Sequence, residues 1–126
     1  MKKILLLSLL LLFSMTNVKA ISFEDAYNQS GKTPLAVFIY AEWAEGYQQM
    51  QQIISATALK FQDKYNFVDL NIASPDAKFF NTKYHIYPNL PYVLLFKENG
   101  RLSRYVNREC VSDQACLETR LKQFMP

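Results

Sequence analysis

The chain is poor in the residues that most often carry chemistry in small proteins. It has one histidine, two cysteines and three glycines among 126 residues. No carboxylate or thiol stands at ligand spacing from His85, so the sequence predicts no metal site. The few glycines form no phosphate-binding loop, and no Ser-His-Asp ordering is present. We therefore expect neither a cofactor nor hydrolase chemistry.

The first twenty residues have the composition of a targeting segment. Lys2 and Lys3 precede an apolar stretch from Ile4 to Phe13, and Val18-Lys19-Ala20 ends the segment with a small-residue cleavage pattern. This pattern is typical of a secretory signal peptide, and the apolar stretch is short for a membrane span. We predict a signal peptide over residues 1–20, export to what is most simply a bacterial periplasm, and no stable membrane insertion after cleavage.

The rest of the chain, residues 21–126, has no excess of charge. Without Lys2, Lys3 and Lys19, acidic and basic residues are equal in number, and no Lys/Arg cluster remains. Such a domain gains little from counterion release, so we expect no nucleic-acid partner. The length suits one domain. Half of all residues are hydrophobic, which is enough for a compact core without metal.

Apolar periodicity in the first half predicts alternating helices and strands. Ser22 resembles an N-cap for a short first helix. Six apolar or aromatic residues from Leu35 to Tyr40 predict a central strand that is buried on both faces. Spacings of three and four then predict a helix with an inner face of Tyr47, Met50, Ile54, Ala58 and Phe61. A second strand is predicted from Phe67 to Ile72, and Ser74 is the expected cap of the helix that follows.

The second half predicts a hairpin and a last helix. Tyr92 to Phe96 and Leu102 to Val106 are joined by a turn that contains Asn99-Gly100, a pair that favours a hairpin between antiparallel strands. A terminal helix is expected from about Asp113. Helices that alternate with buried strands require a sheet covered on both sides, so the fold class is α/β.

Two segments carry a resemblance to a known family. Ala41-Glu42-Trp43-Ala44-Glu45-Gly46-Tyr47 follows the central strand in the frame in which thioredoxins have Trp-Cys-x-x-Cys. Farther along, Leu90-Pro91-Tyr92-Val93 resembles the cis-proline strand of that family. The chain therefore resembles the thioredoxin family over nearly all of residues 21–126. The resemblance implies a thioredoxin-like three-layer sandwich with a mixed sheet of about four strands flanked by helices.

The residues that should perform thioredoxin chemistry are replaced. Ala44 and Tyr47 stand where the family has its two reactive cysteines, and Phe38 stands where many members keep a buried carboxylate. Thiol-disulfide exchange needs a thiolate and a resolving thiol, which Ala44 and Tyr47 cannot supply. The resemblance therefore implies a retained fold without dithiol exchange at the usual site.

The same resemblance implies a groove, because the helix start and the cis-proline loop face each other in that fold. We refer to its six expected residues as the predicted groove: Trp43, Ala44, Tyr47, Leu90, Pro91 and Tyr92. The expected ligand is a protein or an extended peptide in the cell envelope, bound by an assembly or chaperone-like module. The alternative is that Tyr47 and Tyr92 fill vacated space and bury their rings, with each hydroxyl reaching water.

Cys110 and Cys116 are the two cysteines of the chain. An even pair in an exported protein predicts a disulfide, which over so short a loop should contribute about 2 to 2.5 kcal/mol. A functional alternative remains, because Cys116 near a helix start could have a lowered pKa. In that case the protein would be an atypical thiol-disulfide oxidoreductase that uses Cys110 and Cys116.

Overall fold

The computed structural model describes residues 21–125. The predicted signal peptide lies outside the described residues. In chain order the elements are α1 (Phe23–Asn28), β1 (Leu35–Tyr40), α2 (Tyr47–Phe61), β2 (Asn66–Asn71), α3 (Ala77–Lys83), β3 (Tyr92–Lys97), β4 (Leu102–Val106), α4 (Arg108–Val111) and α5 (Gln114–Phe124).

The four strands form one mixed sheet in the order β2-β1-β3-β4. Strand β2 runs parallel to β1, whereas β3 is antiparallel to both β1 and β4. The first five residues of β1 are buried, as expected of an apolar strand with a neighbour on each side. The predicted four-stranded α/β arrangement is confirmed.

Helices cover both faces of this sheet. Successive strand residues point to opposite faces, and β1 shows it clearly: Val37 packs in one hydrophobic cluster and Phe38 in the other. The cluster of Val37 includes residues of α1 and α3, while the cluster of Phe38 includes residues of α2 and α5. The result is the predicted three-layer sandwich.

The inner face of α2 differs from its prediction at Tyr47 and Ala58, which are only half-buried. Met50, Ile54 and Phe61 are buried, but Thr57 rather than Ala58 takes the remaining inner position. A period of 3.6 residues places Thr57 between Ile54 and Phe61 on the same face. Its hydroxyl donates to the carbonyl of Ile53 at 2.7 Å, which satisfies the buried polar group.

Of the two predicted serine caps, one is confirmed and one is wrong. The Asp25 amide donates to Ser22 Oγ at 3.1 Å, which caps α1. Ser74 does not cap α3, and its hydroxyl donates instead to the Asn71 carbonyl at 2.8 Å. Helix α3 begins later, at Ala77, behind Asp76. Serine hydroxyls compete for nearby carbonyls in this way when a turn precedes a helix.

The β3–β4 hairpin and α5 form as predicted, and one helical turn is added. Gly100 has φ 85°, and a side chain there would collide with the ring of Tyr27. The extra turn, α4, is four residues long and is capped by Asn107, whose Oδ1 accepts from the Cys110 amide at 3.0 Å. Periodicity cannot reveal so short a helix. None of the helices in residues 21–125 has the length and apolar character that a membrane crossing requires.

Candidate functional site

The loop 41–46 connects the central strand to α2. The Ala44 amide donates to the Ala41 carbonyl at 3.0 Å, which closes a tight turn. Gly46 then adopts φ 78°, a left-handed conformation that favours glycine, and turns the chain into the helix. Helix α2 therefore starts without a side-chain cap.

Loop 41–46 buries the methyl group of Ala44 and exposes the indole ring of Trp43 to solvent. Ala44 is only 7% exposed and packs in the same cluster as Ile39 and Ala41. A methyl group there offers neither a nucleophile nor a hydrogen-bond donor. Trp43, in contrast, is 77% exposed. Ala44, which the resemblance places where the thioredoxin family has its leading cysteine, is part of the hydrophobic core.

Tyr47 is half-buried because its ring stacks on a second tyrosine. The rings of Tyr40 and Tyr47 are nearly parallel, at 7°, with centroids 5.3 Å apart, and Tyr40 in turn stacks on Phe38. The Asp69 carboxylate lies nearby and accepts from Gln51 Nε2 at 2.9 Å. Desolvation and the Asp69 charge raise the pKa of Tyr40. The stack of three rings packs the start of α2 against β1.

The cis Leu90-Pro91 bond that the resemblance implies is present. Leu90 and Pro91 are both buried, so they form the floor beside loop 41–46 rather than an exposed wall. Of the six residues of the predicted groove, Ala44, Leu90 and Pro91 contribute little surface. Trp43 and Tyr47 contribute most of the solvent-accessible surface of the predicted groove.

Tyr92 does not line the predicted groove, because its side chain has no exposed surface. Its ring packs against Tyr87 and Tyr105 at centroid distances of 5.5 and 5.2 Å, and its hydroxyl accepts from the Tyr87 amide at 3.1 Å. Burial raises the pKa of this hydroxyl. Tyr92 lies opposite Ile39 in the ladder, and paired residues share a face, so the ring points into the layer of α1 and α3. For Tyr92 the space-filling alternative is correct, with a backbone amide in place of water.

Sequence reasoning missed Arg108, which joins the two loops of the site. Its Nη1 donates to the Leu90 carbonyl at 2.7 Å, and its Nη2 donates to the Glu45 carbonyl at 2.6 Å. We call this pair of contacts the Arg108 bridge. Both bonds are short and charge-assisted. No signal in the sequence points to it, because Arg108 follows an edge strand and begins a helix too short to predict.

The Arg108 bridge limits what the site can do. It occupies the Leu90 carbonyl, the backbone acceptor that precedes the cis-proline. A cavity of about 430 Å³ opens beside the bridge, between the first turns of α2 and helix α4, with Glu45 and Glu109 also in its wall. Aromatic surface, a guanidinium and carboxylates can bind a partner, but this set of groups holds no thiol for exchange.

The two cysteines form a disulfide between the two last helices. The Cys110–Cys116 bond ties α4 to α5, and residues 21–125 contain no free cysteine. Cys110 is 4% exposed, while Cys116 is half-buried. Asp113 caps α5 and accepts from the Cys116 amide at 3.4 Å. The predicted disulfide is confirmed.

The chain has the thioredoxin fold. Its mixed four-stranded sheet lies between two helical layers, a cis-proline precedes β3, and a tight loop connects β1 to α2. Solved structures with this fold are similar to the chain. Thioredoxin O1 from Arabidopsis thaliana superposes with a TM-score of 0.64 at 17% identity, over 82% of this chain and 90% of that one. A thioredoxin pre-protein from Schistosoma mansoni superposes with a TM-score of 0.62 at 18% identity, over 81% of this chain and 89% of that one.

Mitochondrial thioredoxin 3 from Saccharomyces cerevisiae gives a TM-score of 0.57 at 19% identity, over 86% of this chain and 97% of that one. No protein-family model and no curated protein sequence matches the chain. Likeness at this level of identity shows the fold alone. Function must therefore be argued from the residues of this chain.

Proposed function

We propose that this chain is an exported thioredoxin-fold domain that binds a protein or an extended peptide in the cell envelope and does not perform dithiol exchange at the usual site. It would serve as an assembly or chaperone-like module. One observation supports the proposal: a buried methyl and a stacked phenol lie where the resemblance places the reactive sulfurs, while Trp43 beside them is 77% exposed.

The accessible residues have the chemistry of a binding surface. Trp43, Tyr47 and Arg108 belong to the three residue types that dominate the energetics of protein interfaces. An exposed indole gains from burial against a partner, and its ring loses little conformational freedom on binding. The side chains of Trp43 and Tyr47 therefore supply the contact area in this proposal.

Arg108 supplies the polar part of recognition. A guanidinium has five N–H donors, and the bridge uses donors on Nη1 and Nη2 for the Leu90 and Glu45 carbonyls. The remaining donors can meet acceptors of a bound segment. The Leu90 carbonyl keeps a second lone pair, so an extended peptide can still pair with the backbone there.

Affinity capture with two matched variants tests this surface. Trp43→Ala and Leu59→Ala each remove a large exposed side chain, and Leu59, on α2, is 73% exposed. Proteins captured from the native envelope fraction under oxidising conditions are identified by mass spectrometry. A partner kept by Leu59→Ala and lost with Trp43→Ala supports the proposal. Identical capture by both variants and wild type would rule out the Trp43 surface.

An oxidoreductase that uses Cys110 and Cys116 is the second candidate, because Cys116 is only half-buried near the start of α5. Insulin reduction by the purified protein separates the two functions when it is compared with the Cys110→Ala/Cys116→Ala variant. We expect no turnover that depends on these cysteines. Turnover that disappears in the double variant would favour the enzyme.

Export has its own test. Amino-terminal sequencing of the protein recovered from the envelope fraction should give a mature chain that begins near Ile21. A chain that still begins at Met1 would contradict signal cleavage.

A further inference from the structure

A second surface lies at the edge strand β4, and its composition differs from that of Trp43 and its neighbours. Between β4 and α5 lies a cavity of about 180 Å³. Its apolar floor includes Leu95, Val106 and Phe124, which are nearly inaccessible to solvent. Its rim carries Lys97, Arg104 and Arg120. We call these six residues and the cavity between them the β4 groove.

The rim of the β4 groove carries three cations, Lys97, Arg104 and Arg120. Among the described residues 21–125, no carboxylate lines it. Within residues 21–125 the one salt bridge joins Lys60 to Glu118 and involves none of the rim cations. Acidic and basic residues are equal in number over 21–126. The positive rim is therefore a local feature rather than a consequence of net charge.

One of the rim cations is held in place. Lys97 Nζ donates to the Phe124 carbonyl at 2.8 Å and lies 4.6 Å from the centroid of the Phe124 ring. This contact uses one of its three N–H donors, so two remain for a ligand. Arg104 lies opposite Leu95 in the ladder, which places its side chain on the α5 face of the sheet.

The groove adjoins a free strand edge. Strand β4 ends the sheet, and no strand in residues 21–125 pairs with its outer side. An unpaired edge presents backbone donors and acceptors to any extended segment. Side chains of an added strand alternate between the two faces, so every second one would lie over α5 and the groove.

We propose that the β4 groove binds an extended acidic segment of another protein, which adds to the outer edge of β4. An apolar side chain of this segment occupies the floor, and carboxylates two residues before and two residues after it meet the rim cations. The recognised pattern is acidic-x-apolar-x-acidic. This site is separate from the surface of Trp43 and does not depend on the function proposed above.

Charge favours this ligand over a second copy of the chain. Pairing two β4 edges would bring the rim cations of both copies close together, and like charges opposite each other destabilise such a ladder. An acidic segment meets the same cations with opposite charge and is also steered towards them.

Two peptides of identical composition test the pattern. The first contains Glu-Thr-Leu-Thr-Glu, which places both glutamates on the face of the leucine in a strand. The second contains Thr-Glu-Leu-Glu-Thr, which places them on the opposite face. Each peptide carries fluorescein and is titrated with the full mature protein at low salt, and anisotropy is measured. We expect the first to bind at least about fivefold more tightly.

Three arginine variants locate the site. Arg104→Gln and Arg120→Gln should each weaken binding of the first peptide about two- to fivefold. Arg101→Gln removes an exposed cation of the β3–β4 turn that does not line the cavity, and should leave the affinity within about twofold. Trp43→Ala should leave it unchanged, so this proposal and the function proposed above fail independently.

Three results would overturn the proposal. Equal affinities for the two peptides would exclude alternation, and an equal loss in Arg101→Gln would mean that binding reflects diffuse charge. A dimer in sedimentation that Arg104→Gln changes, together with no peptide binding, would assign the edge to a second copy of the chain.

Discussion

The predicted groove divides into a buried half and an exposed half, and the two halves have different roles. Ala44, Leu90 and Tyr92 are buried in the core, although the resemblance assigns them to a binding surface. Trp43 projects into solvent a single residue away from Ala44. The buried residues stabilise the fold, while Trp43 and Tyr47 keep surface that solvent can reach. Substitutions in the two halves should therefore separate stability from binding.

The largest effect is expected in the buried half, at Tyr92. Tyr92→Ala removes a ring with no exposed surface and leaves a cavity, so it should lower the free energy of unfolding by about 3 to 5 kcal/mol. Tyr92→Phe keeps the ring and loses only the acceptor of the Tyr87 amide, which should cost about 1 kcal/mol. Urea unfolding followed by circular dichroism measures both. A loss below 1 kcal/mol for Tyr92→Ala would show that the ring is not a core element.

The second-largest effect on stability is expected when the Cys110–Cys116 disulfide is removed. The Cys110→Ala/Cys116→Ala variant releases a short loop in the unfolded state, and should lose about 2 to 2.5 kcal/mol by the chain-entropy estimate. Urea unfolding under oxidising conditions gives the difference. The wild type in reducing buffer is the matched control and should behave like the variant. An unchanged midpoint in both would contradict a structural role for the disulfide.

The Arg108 bridge links the two halves, and its loss should have an intermediate effect. Arg108→Gln removes two charge-assisted hydrogen bonds from a half-buried side chain, and should cost about 1 to 2 kcal/mol. Amide exchange in loop 41–46 should accelerate in the same variant. Arg101→Gln, at an exposed arginine, serves as the control and should change neither quantity. Unaltered exchange in loop 41–46 would mean that the bridge does not order the loop.

The exposed half should tolerate substitution. Trp43→Ala should change the free energy of unfolding by no more than about 0.5 kcal/mol, because the indole contributes little to the core. Trp43 is the one tryptophan of the chain, so wild-type fluorescence reports on it alone. Its emission should resemble that of exposed tryptophan in both the folded and unfolded states. A marked shift on unfolding would mean that Trp43 is packed in solution.

The smallest effect is expected outside both halves, at the Lys60–Glu118 pair. The Lys60 hydrogen bond, followed by that from Gln114, holds the pKa of Glu118 below its ordinary value of 4.5. A lowered folded pKa stabilises the protein above the ordinary value, and the contribution is lost as pH falls through the folded value. Glu118→Gln should therefore slightly lower Tm at pH 7, and the difference should vanish in acid. A difference that grows in acid would contradict this sign.

Much of the fold could be predicted because its signals are local. The run of apolar residues in β1, the Asn99-Gly100 turn and the Ser22 cap each depend on residues close together in the chain. The prediction at Ser74 was wrong because the helix begins at Ala77, so Asp76 rather than Ser74 takes the N-cap position. Helix α4 was missed because four residues contain too little of a helical period to be detected.

The sequence by itself determined the order of the strands and of every described helix except α4, because short-range periodicity is sufficient for elements of that length. Only the tertiary structure decided which groove residues face solvent. Strand pairing turns Tyr92 inward beside Ile39. The Arg108 bridge joins Arg108 to Leu90, 18 residues earlier in the chain, and to Glu45, 63 residues earlier. Contacts at such separations depend on how the whole sheet is assembled, and no local pattern encodes them.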